Sequence, residues 1–113
     1  MVEKRLDVTF HALSDPTRRG MIANLALGEK SIGELAEPFA MSFAGASMHV
    51  KVLEDAGLIT RRKAGRTHVI SIDAKPLEEA ERWLRKWEMF WTIRLDRLEA
   101  LIQRDKNKEN DNG

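Results

Sequence analysis

Four cations crowd one short stretch of this chain. Arg61, Arg62 and Lys63 run into Ala64-Gly65, and Arg66 follows at once. Like charges this close repel one another, and a polyanionic backbone is the partner that relieves them. A second group lies upstream, from Ser42 to Ala56. Its exposed first turns show Phe43, Ala44, Gly45, Ser47 and Met48. Small residues let a helix sit deep in a groove, and the N–H groups after Ser42 favour a phosphate. Ser47 suits a base edge or a phosphate. Phe43 and Met48 offer apolar contact, for which a thymine methyl is the natural partner. His49 and Lys51 lie on the flank, spaced for phosphates, with a hydrogen bond inside the motif as the other role for His49. The candidate DNA contacts are therefore Ser42, Phe43, Ala44, Ser47, Met48, His49, Lys51, Arg62, Lys63 and Arg66, with Arg66 foremost.

The elements that must hold these residues follow from caps and periodicity. Residues 3–13 carry Leu6, Phe10 and Leu13 at helical spacing. Ser14-Asp15-Pro16 breaks that helix and starts another, with Asp15 as cap and Pro16 in the first turn. Met21, Ile22 and Leu25 point inward, and the helix ends near Gly28. Ser31-Ile32-Gly33-Glu34 fits a capping box. Pro38 ends this third helix, and Phe39 and Met41 plug the turn. Ser42 caps a fourth helix with Ala46, Val50 and Leu53 inward, closed by Gly57. A two-stranded hairpin follows, in which His68, Ile70 and Ile72 alternate with Val69 and Ser71. A last helix spans about 75–103. The expected organisation is one domain over 1–104 and a disordered polar tail over 105–113.

Composition narrows the function classes. The 113 residues carry a net charge of only +1. Between Ser42 and His68, however, five cations face two acids. Cysteine is absent, which excludes disulfides and thiolate metal sites. His11, His49 and His68 fall on different elements, and Asp96 and Glu99 have no histidine beside them. No nucleophile–base spacing or Gly-rich phosphate loop appears. The expectation is therefore no enzyme, no metal and no cofactor. No apolar run is long enough to cross a membrane. The N-terminus has charges where a signal peptide needs an apolar core, so a cytoplasmic address is expected.

These motifs carry a resemblance. HALSDPTRRGMIANL resembles the opening of the ArsR-type family of small bacterial winged-helix repressors. FAMSFAGASMHVKVLEDAGLITRRKAGR is similar to that family's helix-turn-helix and wing, through Ser47, His49, Val50-Lys51-Val52-Leu53, Ala56-Gly57-Leu58 and Gly65-Arg66. The chain departs from the pattern at Phe43-Ala44, where Gln-Pro is frequent, and at Met48, where a cation is frequent. Both changes lower the polarity of the base-reading face. The resemblance implies a mainly α winged helix-turn-helix with a two-stranded hairpin, dimerising through its first and last helices. It implies a dimeric repressor on a pseudo-palindromic operator in double-stranded DNA.

The last helix supports a homodimer independently. Leu77, Ala80, Leu84, Trp87, Trp91, Leu98 and Leu101 form a near-heptad stripe, which Trp83, Phe90, Ile93 and Leu95 widen. Leu6, Phe10, Leu84, Trp87, Trp91 and Leu98 are the expected interface residues. Two recognition helices would then sit about one DNA turn, roughly 34 Å, apart. The aromatic cluster with Met89 offers an apolar pocket for an unknown small-molecule effector, against the plainer reading of a packed dimer core. Two rival functions remain: a winged-helix protein-interaction module that binds DNA weakly, and a metal-responsive sensor using non-cysteine ligands.

Overall fold

Side-chain caps decide where three of the helices begin. The computed structural model describes residues 2–111. Helix α1 covers Val2–Ala12 and α2 covers Pro16–Leu25. Between them the Asp15 carboxylate accepts the Arg18 backbone N–H at 3.0 Å, with Pro16 in the first turn. Strand β1, Lys30–Ser31, runs directly into α3, Ile32–Ala36. Ser31 closes both halves of the capping box. Its hydroxyl accepts from Glu34 N–H at 3.1 Å, and its own N–H donates to the Glu34 carboxylate at 3.0 Å. Helix α3 ends before Pro38, as expected, and one 3₁₀ turn, Glu37–Phe39, contains that proline. Helix α4, Phe43–Asp55, is capped by the Ser42 hydroxyl, which accepts from Gly45 N–H at 3.0 Å. Gly57 stops the helix at a φ of +76°, a left-handed turn that favours glycine.

Strands β2, Ile59–Ala64, and β3, Thr67–Ile72, form the hairpin. Ala64 pairs with Thr67, so the loop is only Gly65-Arg66. A φ of +64° at Gly65, with no positive φ at Arg66, fits a type II′ turn. The sheet has three strands in the order β1-β3-β2, all antiparallel, rather than the expected two. The missed strand is two residues long. Lys30 pairs with Ile70 and Ser31 with Val69. Ser31 is extended because it caps α3, and that extension lets it pair with β3.

The chain divides into two compact units after Ala80. In the first, Met21, Leu25, Leu35, Val50, Leu53, Leu58 and Ile70 are fully buried. Phe39 and Met41 pack against this core from the turn between α3 and α4, as the sequence predicts. Phe39 also approaches α2 closely: a Cβ at Gly20 would lie 2.6 Å from its ring. The second unit is the continuation of α5, which runs Lys75–Asp111. The expected end near Gln103 is thus passed, and residues 105–111, expected to be disordered, are helical. Straight-chain Gln103, Arg104 and Lys106 favour a helix, and neither Gly nor Pro occurs between Pro76 and Gly113. Residues 112–113 of that expected tail lie outside the described residues.

Candidate nucleic-acid interface

Helix α4 presents the face expected of it. Ala46, Val50 and Leu53 are buried, while Phe43 and Met48 are 63% and 73% exposed. Ala44 is also exposed, and Ser47 is half-buried. Nothing in the first unit needs Phe43 or Met48 for its core. Ser42 is committed through its hydroxyl to the cap, which leaves the first-turn N–H groups pointing outward beside it. Lys51 extends on the flank, 3.6 Å from Asp55 across an exposed i,i+4 pair.

His49 takes the second role expected of it. Its Nδ1 lies 3.3 Å from an Arg18 Nη and 3.9 Å from the Asp15 carboxylate. That side of the ring is therefore engaged inside the motif. Arg18 is the hub of this joint. Its Nε donates to Ala12 O at 2.7 Å and its other Nη to His11 O at 3.3 Å. One guanidinium thus closes the end of α1 and holds the recognition helix by His49. The Arg18 N–H holds the Asp15 carboxyl below the usual carboxylate range against the opposing cost of desolvation, and the nearby His49 and Arg18 lower it further.

The wing's cations are not equivalent. Strand residues alternate between faces, and directly paired residues share one. Arg61 pairs with Ile70 and Lys63 with His68, so these four share the inner face with buried Ile59. Arg62 pairs with Val69 on the outer face. Each arginine has its own carboxylate. Arg61 Nε donates to Glu54 at the end of α4 at 3.2 Å. Arg62 donates to Glu29 at 2.8 Å, and the Ser71 hydroxyl donates to the other Glu29 oxygen at 2.9 Å. The Arg62 bond, then the Ser71 bond, hold the Glu29 carboxyl below its usual range. Arg62, expected on DNA, is therefore half-committed to the body of the protein. Lys63 and Arg66, at the tip, are exposed.

Sequence reasoning missed Arg18, Glu29, Glu54 and His68 as parts of this surface. Glu29 and Glu54 lie 33 and 7 residues from their arginines, with no periodic signal linking them. His68 did leave a trace, since it stands where the alternation otherwise places isoleucine.

The expected interface residues of α5 stand on its surface. Leu84, Trp87, Trp91 and Leu98 are all exposed, as is every large apolar side chain from Trp83 to Ile102. Trp87 and Phe90 meet edge-on at 5.9 Å, and Phe90 and Trp91 at 5.6 Å. Arg94 covers Phe90 at 4.4 Å. In α1, Phe10 is exposed, but Leu6 is 5% exposed and buried within the single chain, which corrects its assignment to a dimer surface. Among the described residues no helix is long and apolar enough to cross a membrane. Nor do any three or more His, Asp or Glu residues gather as a metal site.

Known proteins share this arrangement. A helix-turn-helix domain family matches residues 13–62, from the end of α1 into the wing. The HTH-type transcriptional regulator Rv2034 of Mycobacterium tuberculosis is 36% identical over 96 residues, covering 85% of this chain and 87% of that one. The transcriptional repressor SdpR of Bacillus subtilis is 32% identical over 75 residues, covering 66% of this chain and 83% of its own. The crystal structure of an ArsR family transcriptional regulator superposes with a TM-score of 0.73 at 36% identity, covering 80% of this chain and 93% of that chain. Sequence and fold therefore agree, and this chain belongs to the ArsR-type family of winged helix-turn-helix transcriptional regulators.

Proposed function

We propose that the protein is a homodimeric repressor that occupies a pseudo-palindromic operator and so blocks polymerase. The observation that carries this reading is one surface of the first unit. There an exposed, cap-anchored α4 face, with Phe43, Ala44, Ser47 and Met48, accompanies tip cations Lys63 and Arg66 that have no structural task. The helix would enter the major groove, and the wing would grip the flanking backbone. Lys51 and the N–H groups beyond Ser42 add phosphate contacts. Arg62 joins them by exchanging Glu29 for a phosphate. The exposed aromatic face of α5 pairs two copies, and Phe10 of α1 contributes to the pairing. The protein works in the cytoplasm, without catalysis and without a metal. An effector, where one acts, is a small apolar molecule at the aromatic helix.

A gel shift on DNA upstream of the protein's own coding region tests this. A retarded band at low salt that fades steeply with added salt is expected. Absence of any band at low salt overturns the repressor reading. The exposed Phe43 and Met48 favour one rival, a winged-helix module that docks on another protein. Loss of DNA binding in Arg66→Ala separates the two, because a protein-docking apolar face does not need a wing cation.

A further inference from the structure

A small cleft opens between the wing and the first turn of α4. It holds about 160 Å³ and is lined by Phe43, Arg66, Thr67 and His68, with Ser31 and Gly33 on the far wall. His68 is the unexplained residue. On the inner face of β3 it precedes Ile70, which is fully buried. Its Nδ1 is buried and has no hydrogen-bond partner. An apolar side chain would fill that position without orphaning a polar atom, so the imidazole brings the protomer no internal gain.

The orphaned atom nevertheless fixes what the ring can do. A buried N–H without an acceptor is rarer and costlier than a bare ring nitrogen, so the neutral ring keeps its proton on Nε2. Nδ1 is out of reach, which leaves Nε2 as the only ring nitrogen able to meet a ligand. The residue is thus a preset N–H donor in a cleft that also carries the Arg66 guanidinium. Lys63, the cross-strand partner of His68, adds a second cation on the same face of the hairpin. The Phe43 ring lines the cleft as its apolar wall, beside which charge-assisted bonds to the two donors can form. Donor, guanidinium and apolar wall together suit a single phosphodiester group.

We infer that this cleft seats one backbone phosphate of each bound half-site, with His68 Nε2 and Arg66 as its donors. The inference rests on the DNA-binding reading and adds a specified contact to it. A phosphate seated there is held by the wing in a cleft that Phe43 of α4 also lines, and so fixes the register of α4 in the groove.

The test uses the full-length protein and a duplex recovered from a random-sequence library by selection with it. Neutral methylphosphonate is placed at one backbone position at a time. One position per half-site should weaken wild-type binding strongly. His68→Phe keeps the ring volume and removes the donor. It should bind the unmodified duplex about tenfold more weakly, the loss of one hydrogen bond to a charged group. It should also lose its sensitivity at that one position, with its thermal midpoint unchanged or raised. His68→Gln, which keeps a donor near Nε2, should recover most of the affinity and the sensitivity. His68→Leu, which also lacks a donor, serves as the test variant should the Phe variant fail to fold. If the donor-less variant binds normally and keeps the full methylphosphonate profile, the cleft assignment is wrong while DNA binding stands. If the selection recovers no duplex at low salt, the DNA-binding reading fails and the cleft with it.

Discussion

Arg61 and Arg62 are neighbours in the chain and lie on opposite faces of the sheet, each opposite its own carboxylate. The wing's charge is therefore distributed more unevenly than its composition suggests. Two cations brace the hairpin from either side, and two stand at its tip. Arg66→Ala should weaken binding about equally on all DNA sequences and lower the log–log salt slope by about one per subunit, as should Lys63→Ala. Arg61→Ala should change the slope much less, because Glu54 already compensates that charge. Glu29→Gln tests the exchange at Arg62: with the carboxylate gone, binding at low salt should tighten and the slope steepen by up to about one per subunit. Fluorescence anisotropy across a salt series reads all four variants, and equal slopes for Arg61→Ala and Arg66→Ala would refute the division of labour. The cluster itself was legible as four cations around one glycine. Its pairing was not, because Glu29 meets Arg62 only after the chain has folded.

The elements were legible wherever one residue type has one physical use. Asp15, Ser31 and Ser42 were each readable as caps because a short oxygen-bearing side chain before an apolar-periodic run satisfies an orphan N–H. Strand β1 was not readable, since two residues carry no alternation. The caps also give the fold an acid sensitivity. The carboxyls of Asp15 and Glu34 lie below their usual range mainly because of the backbone N–H groups of Arg18 and Ser31, and that of Glu29 because of Arg62. Lowered carboxylate values contribute stability that is full above the unfolded value, near pH 4, and is lost as pH falls through the lower folded values. The thermal midpoint should therefore fall steadily below about pH 4. The combined Asp15→Asn, Glu29→Gln and Glu34→Gln variant should show a shallower fall, and an unchanged acid limb would remove these three groups from the account. The turn between α3 and α4 carries a different cost. Ala40 sits at a φ of +50°, where a Cβ is strained. Ala40→Gly relieves that strain against a larger unfolded-state entropy, so a gain of up to about 1 kcal/mol is expected in urea unfolding. A clear loss would mean that the Ala40 side chain packs usefully in the turn.

At the scale of the whole molecule, the two units have opposite relations to water. The first encloses its own apolar core, whose buried members from Leu6 to Ala80 all lie before the division. The second exposes every large apolar residue it has from Trp83 to Ile102. A contiguous apolar helix of this length is stable in water only when something covers it. The stripe was legible because near-heptad spacing is visible in a sequence. The fate of Leu6 was not, since an i,i+4 partner such as Phe10 is only about 40° away around the helix. That small rotation leaves one residue inside the protomer and the other on its surface. A second copy is the natural cover, and DNA binding gives the test its sharpest form. Trp87→Glu with Trp91→Glu places two charges in the aromatic ladder without touching the core of the first unit. Sedimentation should show a monomer that still unfolds cooperatively. Its affinity for a palindromic duplex should fall on the order of a hundredfold or more, because the second half-site is no longer held at high effective concentration. Its affinity for a single half-site should stay close to that of the parent protein. A variant that remains dimeric and binds the palindrome as before would place the pairing surface somewhere other than α5.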